Sequence, residues 1–390
     1  MEKYINNDKL YGLDYDWKAI RKEYKKLKCP AGVYNPCKVP IENCNYVFGI
    51  SVRNTGKTTN WLLFGMCMHK LYGTRIIYCR NREDQILPNK IRNIFSVIRD
   101  YGYIPKLTDG AYNDVIYKSR RWYYCLRGDN GEVIDTASES FCLCVDIEEA
   151  QNYKSVLNEP QGDLVIFDEY VDGRYRNSDF IDFMNLLSTI FRSRLSGRVI
   201  MLCNNVTPYS PWYNEFMINK DIRSMVTGES RSIVTPKGTH IYIEKLEGAS
   251  NDRLQVNSSY FGFDNQELAG ITGGEWAIMD FPHIAALKED EREIVDQHHY
   301  LKYNDILLRL DLATSERYGL HVLVHRATKV YDDSVIYTIG EYEDTRHRHK
   351  FGWSKVDQHL WNLYKKNKWF YQDNDCGNII ISYIAQSKYL

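Results

Sequence analysis

Apolar residues along the chain fall into short compact runs separated by polar or glycine-containing stretches, with a smaller number of helically spaced segments between them. Residues 15–28 carry apolar and aromatic positions at helical spacing on a basic background, and the pattern stops at Pro30, which predicts a short amphipathic helix. Tyr46-Val47-Phe48-Gly49-Ile50 reads as a buried strand, and Gly56-Lys57-Thr58-Thr59 feeds it into a helix from Asn60 to Tyr72. After Gly73, Arg75 to Cys79 reads as a second strand, giving a βαβ unit and therefore a parallel sheet. Further strands are expected at 114–126, 163–167, 198–203 and 239–243, with a helix from Phe180 to Arg194. The order is that of a doubly wound α/β sheet. From 248 to about 295 the pattern turns irregular and polar, and a new set of strands begins at Asp305-Ile306-Leu307-Leu308-Arg309-Leu310-Asp311-Leu312, continues over 319–325 and 335–341, and closes on helical stretches. The expected organisation is a large α/β domain over 1–248, a connector over 249–298 and a small α/β domain over 299–390.

Composition narrows the class. With 390 residues, 44% apolar and 26% charged, the chain is too long for one typical core and suits two folded domains. No apolar run approaches the ~20 residues needed to cross a bilayer, and the first residues resemble neither a secretory signal nor a transit peptide, so a cytoplasmic protein is expected. The 10 cysteines lack C-x₂-C spacing and read as reduced, mostly buried thiols. A formal charge of −1 excludes a uniformly basic surface but leaves room for a local basic stripe on nucleic acid.

The chemistry concentrates in two places. A Gly-Lys-Thr between a buried strand and a helix lets backbone N–H groups and a helix N-terminus face an anion. Ser51, Arg53, Asn54, Thr55, Gly56, Lys57, Thr58 and Thr59 then form an ATP-binding phosphate loop, with Lys57 on the β- and γ-phosphates and Thr58 on Mg²⁺. Ser51 stands where the motif usually has glycine, so a plain turn is the competing reading. The second place lies 111 residues after Lys57: Leu164-Val165-Ile166-Phe167-Asp168-Glu169, an apolar strand ending in two carboxylates. In a P-loop fold this strand lies beside the first, so Asp168 can hold the magnesium shell while Glu169 polarises the attacking water. A third strand ends at Asn204, where an amide could sense the γ-phosphate, although asparagine also commonly ends strands as a turn former. Lys118, Arg120 and Arg121, beside Trp122, could follow DNA phosphates or form a solvated basic face.

These residues together resemble the DNA-packaging ATPases of phi-twenty-nine-like phages, relatives of large terminase subunits. The resemblance rests on Tyr46 to Thr59, Lys118-Ser119-Arg120-Arg121, Lys154-Ser155, Val165-Ile166-Phe167-Asp168-Glu169-Tyr170, and Phe191-Arg192-Ser193-Arg194 with the strand to Asn204, and it spans about 45–215. It implies a P-loop NTPase of the additional-strand, catalytic-glutamate type. The implied activity is that of a pentameric ring motor that docks on a phage portal, hydrolyses ATP with Mg²⁺, and drives double-stranded DNA into a procapsid in the infected bacterial host. By position in that family, Arg192 matches an arginine finger reaching a neighbouring subunit's ATP, Lys154 a second trans-acting group, and Arg53 the arginine that terminases carry in the loop. The plainer reading of Arg192 is a cation at a helix C-terminus.

In the C-terminal domain, Asp311, Glu341, Asp373 and Asp375 follow the order in which RNase H-like terminase nucleases place metal-binding carboxylates. The phi-twenty-nine-like relatives carry a degenerate version of this domain, so a vestigial nuclease that contacts nucleic acid or portal is favoured over an active one. A complete terminase with an active nuclease, and an ATP-binding switch or scaffold without turnover, are the rival functions.

Overall fold

The computed structural model describes residues 15–30, 34–51, 55–153, 162–171, 175–176, 178–192, 194–204, 207–246, 281–287, 292–339, 346–348 and 355–387. Among these, Arg53, Asn54, Lys154 and Glu341 are absent, so the roles expected of them lie outside the described residues.

The first unit is a ten-stranded mixed sheet. Its strands in chain order are β1 Tyr46–Ser51, β2 Ile76–Arg80, β3 Asp114–Lys118, β4 Arg121–Arg127, β5 Val133–Thr136, β6 Cys142–Asp146, β7 Leu164–Asp168, β8 Arg198–Asn204, β9 Ser230–Val234 and β10 His240–Lys245. The spatial order is β3-β4-β6-β2-β7-β8-β1-β10-β9, with β5 on β4. The six central strands, β6 to β10 in that order, are mutually parallel. Antiparallel β4, β3 and β5 extend one edge and β9 the other. The central strands read as continuous apolar runs because helices cover both faces.

One consequence departs from the sequence reading. β7 does not lie beside β1, because β8 is inserted between them and pairs with both. Spatial neighbourhood is set by the crossover helices, and the periodicity of individual strands carries no information about it.

The helix Lys57–Tyr72 is apolar nearly all round, as expected for a helix buried between the sheet and another layer. Its outer neighbour is the N-terminal helix Trp17–Lys26, capped by Asp16, whose carboxylate accepts from the N–H groups of Lys18 and Ala19. Gly65 lets this helix approach the sheet closely, since a Cβ there would stand 2.6 Å from Ile76 Cγ1 and 2.9 Å from Leu164 Cδ2. On the opposite face, the helix Asp179–Phe191 and the segment 211–225 bury Phe167, Phe183, Trp212 and Phe216 in one aromatic cluster.

The second unit has a six-stranded sheet in the order β15-β14-β11-β12-β13-β16. The strands are β11 Arg292–Tyr303, β12 Ile306–Ser315, β13 Gly319–Arg326, β14 Val335–Thr338, β15 His347–Arg348 and β16 Trp369–Tyr371. β11, β12 and β13 form an antiparallel meander, β14 lies parallel to β11, and β15 lies parallel to β14. The helices Lys355–Lys365 and Asn374–Ser387 pack on one face. The unit begins earlier than the sequence reading placed it, because β11 occupies the end of the stretch assigned to the connector. The first half of β11 is largely solvent-facing and bulged near Asp296, which erases the alternation that marks a strand.

The two units touch through the segment after β8. Tyr209 is buried in the second unit's core, its carbonyl accepts from Tyr303 Oη at 3.1 Å, and Asn304 Nδ2 donates to Asn214 Oδ1 at 2.7 Å.

Candidate functional site

All six parallel strands end on the same edge of the sheet, so Ser51, Arg80, Asp168 and Asn204 are gathered there from distant parts of the chain. In an open parallel sheet, this edge is where ligands bind. Ser51 and Asn204 are register partners in adjacent strands.

Gly56 opens the helix Lys57–Tyr72 with φ +81°, a left-handed conformation that glycine adopts without steric cost. The Lys57 side chain folds back toward the end of β1 and donates to Ser51 Oγ, and Ser51 Oγ lies 2.8 Å from Thr55 Oγ1. Burial of Lys57 depresses its pKa, an effect opposed by nearby Asp168 and Glu169. The serine at the position usually held by glycine therefore contributes a hydroxyl to the lysine's cradle.

Thr58 Oγ1 donates to Asp168 Oδ1 at 2.9 Å, joining the helix Lys57–Tyr72 to β7 across the inserted β8. Asp168 also accepts from Tyr78 Oη at 2.9 Å and lies 3.5 Å from Arg80 Nη1. Its pKa is raised, with desolvation the largest cause and Arg80, Tyr78 and Thr58 pulling the other way. Glu169 is different: its side chain is 49% exposed, and its backbone is left-handed at φ +53°. Such a conformation is uncommon for a residue with a side chain and must be held by its surroundings. Arg80 pairs with the Glu169 carboxylate, while Asn81 Nδ2 donates to the backbone carbonyls of Glu169 at 2.9 Å and Tyr170 at 3.3 Å.

Tyr78, Arg80 and Asn81 are site residues that the sequence reading missed. The available signal was the polar pair Arg80-Asn81 at the C-terminal end of a parallel strand.

Arg192 lies elsewhere. The helix Asp179–Phe191 runs back across the sheet, and Arg192 caps its end with φ +50°. Two residues on, Arg194 Nε donates to Asp163 Oδ1 at 2.6 Å, and Asp163 immediately precedes β7. Arg192 is therefore exposed at the end of the strands opposite Ser51, Lys57 and Asp168. Arg120 sits in the tight β3–β4 turn, where its guanidinium engages Asp146 at 3.1 Å and Glu83. Arg121 Nη1 donates to Ser140 Oγ at 3.4 Å, and Lys118 is exposed.

In the second unit Asp311 is buried on β12 and paired with Arg309 at 2.7 Å and His325 at 3.5 Å. Asp373 and Asp375 both face Arg326, at 3.6 and 3.1 Å. Among the described residues no group of three or more His, Cys, Asp or Glu is placed to hold a metal ion. No helix among them is long and apolar enough to cross a membrane.

No family model matches the chain. The DNA packaging proteins of Bacillus phages phi29 and PZA are each 22% identical to it over 193 residues, 48% of this chain and 51% of theirs. The chain thus spans about half the length of the curated relatives it matches. Among solved structures, the bacteriophage Phi-29 viral genome packaging motor assembly aligns with a TM-score of 0.54 at 18% identity, covering 92% of this chain and 100% of that one. The Phi-28 gp11 DNA packaging motor aligns with a TM-score of 0.50 at 15% identity, covering 92% and 99%. These structural likenesses are of fold. The resemblance read from residues 45–215 accordingly meets relatives named for DNA packaging in phi29-like phages.

Proposed function

We propose that this chain is an ATP-hydrolysing motor subunit that drives double-stranded DNA into a phage procapsid, acting inside the infected bacterial host as one member of a ring, pentameric as in the family it resembles. The observation that carries the ATPase part is the meeting of Lys57, Thr58, Asp168 and Glu169 at one edge of a parallel sheet, from segments 110 residues apart. The packaging part is supported by relatives named for that role and by the fold shared with packaging motors.

The residues suit Mg²⁺ and a nucleotide. Thr58 and Asp168 present adjacent oxygens suited to the metal shell, and Lys57 lies over the loop with its cationic end toward Ser51 and Thr55. Bound Mg²⁺ would neutralise phosphate charge and polarise the transferred phosphoryl group. Glu169 is the exposed carboxylate free of Thr58 and Tyr78, so it is the group suited to orient the attacking water and take its proton. Arg80 and Asn81 fix it from β2. The role proposed for Arg192, on the far edge of its own sheet, is to reach a neighbouring subunit's ATP, where a trans-acting arginine is worth about 10³–10⁵ in rate. Asn204, beside Ser51, is suited to sense the γ-phosphate.

We further assign the second unit an RNase H-like sheet: a three-stranded meander with the fourth strand beside the first and the fifth beside the fourth. Asp311, Asp373 and Asp375 are engaged by arginines rather than gathered together, which favours a vestigial nuclease that serves as a contact module for nucleic acid or portal.

The test is ATPase rate against protein concentration, with and without double-stranded DNA. Activity should rise cooperatively with assembly. Glu169→Gln should retain nucleotide binding and lose about 10²–10⁴ in turnover, and mixing it with Arg192→Ala subunits should restore some activity. Absence of rescue would remove the shared-site reading.

A further inference from the structure

The N-terminal helix Trp17–Lys26 has two faces with different chemistry, and neither belongs to the site described above. Its inner face reaches the phosphate loop. Tyr24 Oη donates to Asn60 Oδ1 at 2.5 Å, and Asn60 Nδ2 donates to the carbonyl of Gly56 at 2.8 Å, the left-handed residue on which the loop turns. Tyr24 and Asn60 are both only 4% exposed, and the Tyr24 ring packs on Phe64. Only two hydrogen bonds thus separate the helix from the loop backbone.

The outer face is a stripe of cations. Lys18, Lys22 and Lys25 are exposed at helical spacing, followed by Lys28. The single acid on the helix, Glu23, is engaged by Lys26 at 2.5 Å and Lys70 at 3.2 Å, and Arg21 is taken by Glu42. Nothing acidic on the helix therefore offsets the three stripe lysines. A cationic stripe of this kind can neutralise successive phosphates along a nucleic-acid backbone.

We infer that the helix Trp17–Lys26 binds nucleic-acid phosphates on its lysine face and, through Tyr24 and Asn60, positions the phosphate loop, so that a bound duplex tightens nucleotide binding. This rests on the reading of the loop as an ATP site. The physical basis is ordering: a duplex that immobilises the helix also immobilises Tyr24, and the loop then loses less freedom on taking up nucleotide. Tyr24 and Asn60 are positioning residues that touch no substrate.

The experiment measures the dissociation constant of a fluorescent, slowly hydrolysed ATP analogue with Mg²⁺ on the full chain, alone and with a DNA or an RNA duplex. Wild type should bind the analogue about 3- to 10-fold tighter with duplex present, the scale of one net hydrogen bond. By linkage, the analogue should tighten duplex binding by the same factor. The two duplexes distinguish which nucleic acid supplies the phosphates. Lys18→Gln with Lys22→Gln and Lys25→Gln should abolish the shift and reduce the salt dependence of duplex binding by a slope of roughly 2–3. Tyr24→Phe keeps the ring on Phe64, so it should fold, yet weaken analogue binding about 3- to 10-fold and blunt the shift. A shift that persists in the lysine variant, or a Tyr24→Phe protein with wild-type affinity and shift, overturns the inference. So does wild type that binds both ligands without coupling. Wild type that binds no analogue at all would instead bring down the ATP-site reading itself.

Discussion

Asp168 and Glu169 are neighbours in sequence with opposite environments. Asp168 is buried among Thr58, Tyr78 and Arg80, and Glu169 is turned outward by a left-handed backbone. Separation of this kind suits one carboxylate to a fixed metal-shell role and the other to proton transfer. Because burial raises the Asp168 pKa and Arg80 opposes that rise, removing Arg80 must raise it further. In the ATPase proposed above, loss of the Asp168 carboxylate as pH falls should contribute to the acid limb of the pH profile, so that limb should lie at higher pH in Arg80→Ala than in wild type. A pH–rate profile of both proteins checks this, and an unmoved limb would mean that another group sets it. Arg80 itself was not legible as a site residue, since an arginine after a strand is ordinary until β7 is placed beside it.

At the scale of elements, Gly65 sets how closely the helix Lys57–Tyr72 sits on the sheet. Gly65→Ala would push against Ile76 and Leu164 side chains at 2.6–2.9 Å. Overpacking of this kind costs about 1–3 kcal/mol, and the gain in helix propensity returns about 1 kcal/mol. The expected outcome is a net loss of up to about 2 kcal/mol, read as a lower urea midpoint with unchanged slope. Most of these elements were readable from apolar runs: β1, β2, β7 and β8 all appear within a residue or two of where the pattern puts them. β6 and β11 were not. Cys142 to Asp146 is a five-residue run lacking the β-branched enrichment of a typical strand, and β11 is half exposed and bulged.

At the scale of the whole molecule, a nucleotide that binds only the folded state stabilises it by mass action. Mg²⁺-ATP at about 100 times its dissociation constant should add about 2.7 kcal/mol, seen as a higher thermal midpoint for the first unit. Lys57→Ala should abolish that rise. A rise retained in Lys57→Ala would place the nucleotide elsewhere. The second unit is joined to the first through Tyr209, Tyr303 and the Asn214–Asn304 pair, on the segment that follows Asn204. A displacement at Asn204 therefore has a short covalent path into the second unit's core.

From local pattern alone, the chain determined the central strands β1, β2, β7 and β8, that Gly56-Lys57-Thr58 begins a helix after a buried strand, and that Asp168 and Glu169 end another. Those features depend on contacts within a few residues and on side-chain periodicity. Only the tertiary structure decided that β8 separates β1 from β7, that Tyr78 and Arg80 engage the Asp168 and Glu169 carboxylates while Asn81 holds the backbone carbonyls of Glu169 and Tyr170, and that Arg192 lies at the opposite end of the strands from Ser51 and Asp168. It also decided that Asp311, Asp373 and Asp375 are occupied by Arg309 and Arg326. The reason is the same in each case: these outcomes depend on the order in which strands pair across long crossovers, a choice made by the packing of helices on both faces and invisible to any window along the chain.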